Sequence, residues 1–122
     1  MLKEAMSAWE KMIEFTPFDI DVYFNMGVAY AKRGMFREAI KIFKKAIEIN
    51  PEDPETHYSL GIVYVNTGEL DNAIKEYNCT MELRPDHAEA YYSLGNVFYD
   101  KNMLDSALTS YKRAIILISM IE

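Results

Sequence analysis

Cys79 is the one cysteine in this 122-residue chain, and His57 and His87 are its two histidines. A reactive thiolate needs a neighbouring base and an electropositive setting. Cys79 has no histidine within a helical turn, and Glu76 and Glu82 flank it, which is the opposite arrangement. No HxxxH or CxxC spacing offers a local metal site, and no GxGxxG or GxxxxGK(S/T) loop offers a phosphate cradle. Asn78-Cys79-Thr80 fits a glycosylation sequon, but it falls mid-helix with no signal peptide ahead of it and reads as coincidence. These patterns predict no catalytic residue, no metal and no cofactor. They predict a buried or half-buried thiol for Cys79 and a helix-packing role for His57.

Two other sets of residues carry chemistry through their spacing. Phe24, Tyr58 and Tyr92 lie 34 residues apart, and so do Asp21, Glu55 and Glu89. Aromatic faces supply contact area and hold a cation, worth about 0.5–1 kcal/mol where exposed. A row of carboxylates speeds encounter with a basic partner more than it deepens affinity. Together the rows predict a surface for an extended segment carrying Lys or Arg among apolar residues.

The same period organises the whole chain. Pro17, Pro51 and Pro85 are 34 apart, as are Gly27, Gly61 and Gly95. A fixed period of this length marks stacked copies of one supersecondary unit. In each unit Tyr23, Met26, Gly27, Tyr30 and their equivalents His57, Leu60, Gly61, Tyr64 and Tyr91, Leu94, Gly95, Phe98 follow i, i+3, i+4, i+7 spacing, one helix face. The interior glycine costs about 1 kcal/mol against alanine, so a neighbouring helix is expected to come close there. A second stripe follows: Phe36, Ala39, Ile40, Phe43, Ile47; then Leu70, Ala73, Ile74, Tyr77, Met81; then Leu104, Ala107, Leu108, Tyr111, Ile115.

Gly34, Gly68 and Asn102 separate the stripes and suit the left-handed conformation that closes a helix. The short loop predicts antiparallel neighbours. Pro51 and Pro85 stop the second helix, and Asp53-Pro54 reads as an N-cap and first helical residue. Leu2, Ala5, Met6, Trp9 and Ile13 repeat the second stripe one period earlier. The expectation is seven helices near 2–15, 20–33, 36–49, 54–67, 70–83, 88–101 and 104–118. They form one domain, with a partial repeat over 1–16 and full repeats over 20–53, 54–87 and 88–121.

The series Tyr23, Met26-Gly27, Tyr30, Ala39, Phe43, Pro51, with Leu60-Gly61, Tyr64, Ala73, Tyr77, Pro85 and Tyr91, Leu94-Gly95, Phe98, Ala107, Tyr111, resembles the tetratricopeptide repeat (TPR) family. His57, Thr80 and Ser119 depart from that pattern; Ser119 stands where a proline is due and predicts a last helix running on to the C-terminus. The resemblance implies an all-α, right-handed superhelical solenoid of antiparallel helix pairs. It implies a non-catalytic scaffold whose first helices line a concave groove for a partner segment. The face opposite the packing stripe supplies the candidate groove residues: Asp21, Phe24, Asn25, Val28, Ala31 and Lys32; Glu55, Tyr58, Ser59, Ile62, Val65 and Asn66; Glu89, Tyr92, Ser93, Asn96, Tyr99 and Asp100.

Some TPR domains hold the C-terminal carboxylate of chaperone tails with groove cations. Here those places carry Phe24, Val28, Ser59, Glu89 and Ser93, so no binding of such tails is expected. Residues 88–108 also resemble repeats preceding the catalytic domain of O-linked N-acetylglucosamine transferases. The alternative reading is therefore a substrate-selecting fragment of a larger enzyme. Their row of groove asparagines is broken here, with Asn25 followed by Ser59 and Ser93.

Composition sets the remaining bounds. Half the residues are hydrophobic and the formal net charge is −6, with no block of like charge. That excludes a basic footprint for nucleic acid. The longest apolar run, Ala114 to Ile118, is far short of the roughly 20 residues that span a bilayer. The lone cysteine and the absence of a signal peptide predict a cytoplasmic protein. Apolar residues at both ends, above all Ile115, Ile116, Leu117, Ile118, Met120 and Ile121, leave two readings, a piece of a longer array and a homo-oligomer joined through the exposed terminal helices.

Overall fold

The computed structural model describes residues 2–121. Among these residues seven helices follow one another: α1 (Leu2–Phe15), α2 (Ile20–Lys32), α3 (Phe36–Ile49), α4 (Pro54–Asn66), α5 (Leu70–Leu83), α6 (Ala88–Asp100) and α7 (Leu104–Ser119). The bounds match the sequence expectation to within one residue. The last helix stops at Ser119, a little short of the chain end. The side chain of Leu2, placed in the first apolar stripe by the sequence, lies outside the described residues.

Local chemistry explains these limits. Asp53 caps α4, its carboxylate accepting from Thr56 N at 3.2 Å and from the Thr56 hydroxyl, with Pro54 as first helical residue. Gly34, Gly68 and Asn102 adopt φ of 73°, 79° and 61°, the left-handed region. Each closes its helix by the same double hydrogen bond. After α2, Gly34 N donates to Ala31 O and Met35 N to Tyr30 O, both at 3.0 Å; the turns after α4 and α6 repeat it. This is the Schellman closure, and it returns the chain antiparallel within three residues.

The tightest pairings are α2 on α3, α4 on α5 and α6 on α7; α3 then packs on α4 and α5 on α6. Consecutive leading helices α2, α4 and α6 touch only slightly, so they form a separate row along one side of the stack. This is an all-α solenoid. Its core runs through the stack, with Ala39, Phe43, Leu60, Val63, Ala73, Tyr77, Leu94 and Val97 buried in one continuous cluster.

The interior glycines have a common cause. A Cβ on Gly27 would lie 2.5 Å from the Phe43 ring; on Gly61, 2.6 Å from Tyr77; on Gly95, 2.7 Å from Tyr111. In every repeat an aromatic ring of the second helix thus rests directly on the backbone of the first. The tyrosine that opens the stripe ties its helix to the preceding turn, the Tyr23 hydroxyl donating to Pro17 O at 3.1 Å. His57 takes over that contact in the next repeat, its Nε2 lying 2.8 Å from Pro51 O.

At the C-terminal end, Leu108, Ile115, Ile116 and Ile118 on α7 are each more than half exposed. No helix among the described residues is long and apolar enough to cross a membrane.

Gly61→Ala is expected to destabilise the fold by about 1–3 kcal/mol, the cost of overpacking a filled site. Gly68→Ala meets open space but inherits a positive φ, and is expected to cost about 1 kcal/mol. Urea unfolding checks both, and adding Tyr77→Leu should recover stability for Gly61→Ala alone.

Candidate partner-binding groove

The face of α2, α4 and α6 turned away from their partner helices is built at a 34-residue interval from one recurring unit. The ring over each glycine supports a second aromatic on that face. Phe24 packs on Phe43 with centroids 5.9 Å apart, Tyr58 on Tyr77 at 5.7 Å and Tyr92 on Tyr111 at 5.9 Å. All three pairs are tilted, an arrangement aromatic quadrupoles favour. Glycine, the ring resting on it and the face aromatic therefore form a three-part stack in every repeat, the middle ring buried for Phe43 and Tyr77 and half-buried for Tyr111.

The structure brings the aromatic row together as the spacing predicts, but not with equal access. Phe24 and Tyr58 are half-buried, whereas Tyr92 is 56% exposed. Tyr58 is held from several sides. Its hydroxyl lies 3.2 Å from Ser93 Oγ on the next leading helix, and its ring lies 4.8 Å from the His87 ring. Burial pushes its phenol pKa up, as it does more strongly for Tyr77, so both stay neutral near pH 7.

Between the leading helices lie shallow wells. One of about 340 Å³ separates α2 from α4, with Val28, Ala31 and Ile62 below and Lys32, Ser59 and Asn66 around it. A second of about 180 Å³ separates α4 from α6, lined by Ile62, Val65 and Val97 with Ser93, Asn96 and Asp100. A third, of about 420 Å³, joins Asp21 and Phe24 to Asp53 and Glu55. A cavity of about 710 Å³ lies elsewhere, at the turns around Gly34 to Glu38 and Thr67 to Glu69. Asn25 and Tyr99 are exposed on the same face.

The acidic row is less uniform than its spacing implies. Asp21 and Glu89 are exposed. Glu55 Oε1 instead accepts from Arg84 Nη1 and His87 Nε2, each at 3.0 Å. His87 meanwhile caps α6 through Nδ1, which accepts from Ala90 N at 3.1 Å. That acceptor role places the His87 proton on Nε2, aimed at Glu55. Asn96 is also engaged, accepting from the Tyr111 hydroxyl. These partners were not read from the sequence, because Glu55 and His87 are 32 residues apart and no motif links them.

Models of the tetratricopeptide repeat match residues 20–53, 42–75 and 88–117, and a TPR repeat model matches 63–102. The chain belongs to the tetratricopeptide repeat family. Solved structures agree. A crystal structure of MamA superposes with a TM-score of 0.93 at 27% identity, covering 98% of this chain and 70% of that one. A second MamA crystal structure gives 0.88 at 28%, covering 95% of this chain and 63% of that one. MamA MSR-1 C2 gives 0.86 at 22%, covering 99% and 70%, a likeness of fold alone. No curated protein matches the chain by sequence. The TPR repeats and the solenoid fold are those of a protein-interaction scaffold.

Access differs along the aromatic row, and stability should follow it. Tyr58→Ala is expected to cost about 2 kcal/mol of stability, as a half-buried ring bridging two repeats. Tyr92→Ala is expected to cost less than about 1 kcal/mol. Thermal unfolding of the two variants measures the difference.

Proposed function

We propose that this TPR domain binds an extended protein segment, rich in apolar residues and carrying Lys or Arg, along the face of α2, α4 and α6. It acts without catalysis. One observation carries the reading: three face aromatics in register, each braced by the ring that rests on the nearby glycine, with wells lined by aliphatic side chains between them. Braced rings lose little rotamer freedom on binding, which lowers the cost of association. The wells accept apolar side chains of the segment. Asp21 and Glu89 draw in its cations. Glu55, already paired with Arg84 and His87, holds the face in shape more than it meets the partner. Asn25, Val28, Ser59, Ile62, Ser93, Asn96 and Tyr99 complete the contact surface.

The alternative of a substrate-selecting fragment of a glycosyltransferase would need an asparagine row on this face, and Ser59 and Ser93 interrupt it. The face also lacks the clustered cations that a free carboxylate terminus requires. Lys32 stands at the rim of one well, and Arg84 is engaged by Glu55 and by Asp86 at 3.5 Å.

A pull-down with the wild-type chain against a Phe24/Tyr58/Tyr92 triple-alanine variant tests the groove. The variant should lose the partner while circular dichroism shows the helices intact; retained affinity would reject the assignment. Asp21→Asn with Glu89→Gln should lower the association rate severalfold at low salt, bring it close to the wild-type rate at high salt, and leave dissociation nearly unchanged. A chaperone C-terminal tail peptide should show no binding at micromolar concentration by fluorescence anisotropy.

A further inference from the structure

The pairing of α4 with α5 assembles a polar cluster on the side of α4 opposite the groove. His57 is buried, and its Nδ1 lies 2.7 Å from Glu76 Oε1. Cys79, half-buried, completes the group: ligand atoms of His57, Glu76 and Cys79 all lie within 4.8 Å of one another. Glu76 and Cys79 are three residues apart on α5 and so share a face. One period away the same positions hold Tyr23, Ile42 and Lys45, or Tyr91, Ser110 and Arg113. No other repeat carries these donors.

We propose that His57, Glu76 and Cys79 bind one divalent cation of the zinc type, with water in the fourth position. Three features support this. First, a thiolate, an imidazole and a carboxylate form a donor set suited to zinc rather than to magnesium or calcium. Ligand atoms of a tetrahedral zinc lie about 3.5 Å apart, given bonds of about 2.0–2.3 Å, so modest side-chain rotation closes the site. Second, His57 is already oriented as ligating histidines are. Pro51 O can only accept, so the Nε2 proton points at it and Nδ1 is turned to the Glu76 carboxylate, with which it shares a proton. At 2.7 Å the two groups share a proton, and a metal taking its place needs them to part to about 3.5 Å.

Third, the fold does not need an imidazole here, because tyrosine at the equivalent position supplies the bond to the proline carbonyl, as Tyr23 does to Pro17. What His57 adds is Nδ1. Cation binding displaces the Cys79 thiol proton and the proton shared by His57 and Glu76, and both pass to solvent.

The test is titration of Zn²⁺, Co²⁺ and Mg²⁺ into the reduced full chain, alongside Cys79→Ser and His57→Tyr. Expected are one Zn²⁺ per chain by calorimetry, a thiolate-to-Co²⁺ charge-transfer band, a zinc-dependent rise in Tm and no response to Mg²⁺. Each substitution should weaken Zn²⁺ at least tenfold. His57→Tyr copies the neighbouring repeats. Should it fail to fold, protection of Cys79 from alkylation by Zn²⁺ in the wild-type chain decides instead. No zinc binding, no thiolate band with Co²⁺, an affinity unchanged in the variants, or no protection of Cys79 would each overturn the proposal and leave a buried ion pair only.

Discussion

The contact of an aromatic ring with a bare helix backbone is the constraint on which this structure rests. Phe43, Tyr77 and Tyr111 occupy the space that a Cβ at Gly27, Gly61 or Gly95 would fill. Glycine weakens each leading helix by about 1 kcal/mol. In return it lets a large ring be buried, and burying an aromatic side chain contributes about 1.5–3 kcal/mol. The exchange favours the hairpin over the isolated helix, so neither helix of a repeat is self-sufficient.

The same rings link the packing of the hairpin to the face aromatics of the leading helices. One side of Tyr77 rests on Gly61 and another supports Tyr58. A change in the core at this point therefore moves a groove residue. Tyr58 also reaches Ser93 on the following repeat, and Glu55 reaches Arg84 and His87 at the junction before α6. Neighbouring hairpins are thereby held in a set orientation by polar contacts as well as by the shared core. Exposed ion pairs such as Lys101 with Asp71 add little to this.

Helix α4 is used on both sides. Ser59 and Ile62 line the well between α2 and α4 and Tyr58 reaches Ser93 on α6, while His57 meets Glu76 on α5 and Thr56, Leu60 and Gly61 are buried. The middle repeat thus differs from its neighbours in what it buries. Where they carry tyrosine, it carries an imidazole with a second nitrogen and two further donors within reach. The substitution keeps the bond to the proline carbonyl, so the repeat geometry is preserved while the local chemistry changes.

The register of the repeats, the limits of the helices, the glycine positions and the left-handed turns were all legible in the sequence. Each depends on the residue itself or on neighbours within a turn, and repetition at 34 residues reinforces each of them. Phe24, Tyr58 and Tyr92 could be placed on one face for the same reason. What the tertiary structure alone decided is which polar groups meet across helices. His57 finds Glu76 and Cys79, and Glu55 finds Arg84 and His87, across 19 or more residues of chain. Such meetings depend on the rotation of one helix against another, a geometric quantity that periodicity leaves unspecified. The greater exposure of Tyr92 than of Tyr58 follows likewise from stacking, because Tyr58 is covered by the next leading helix and Tyr92 is not.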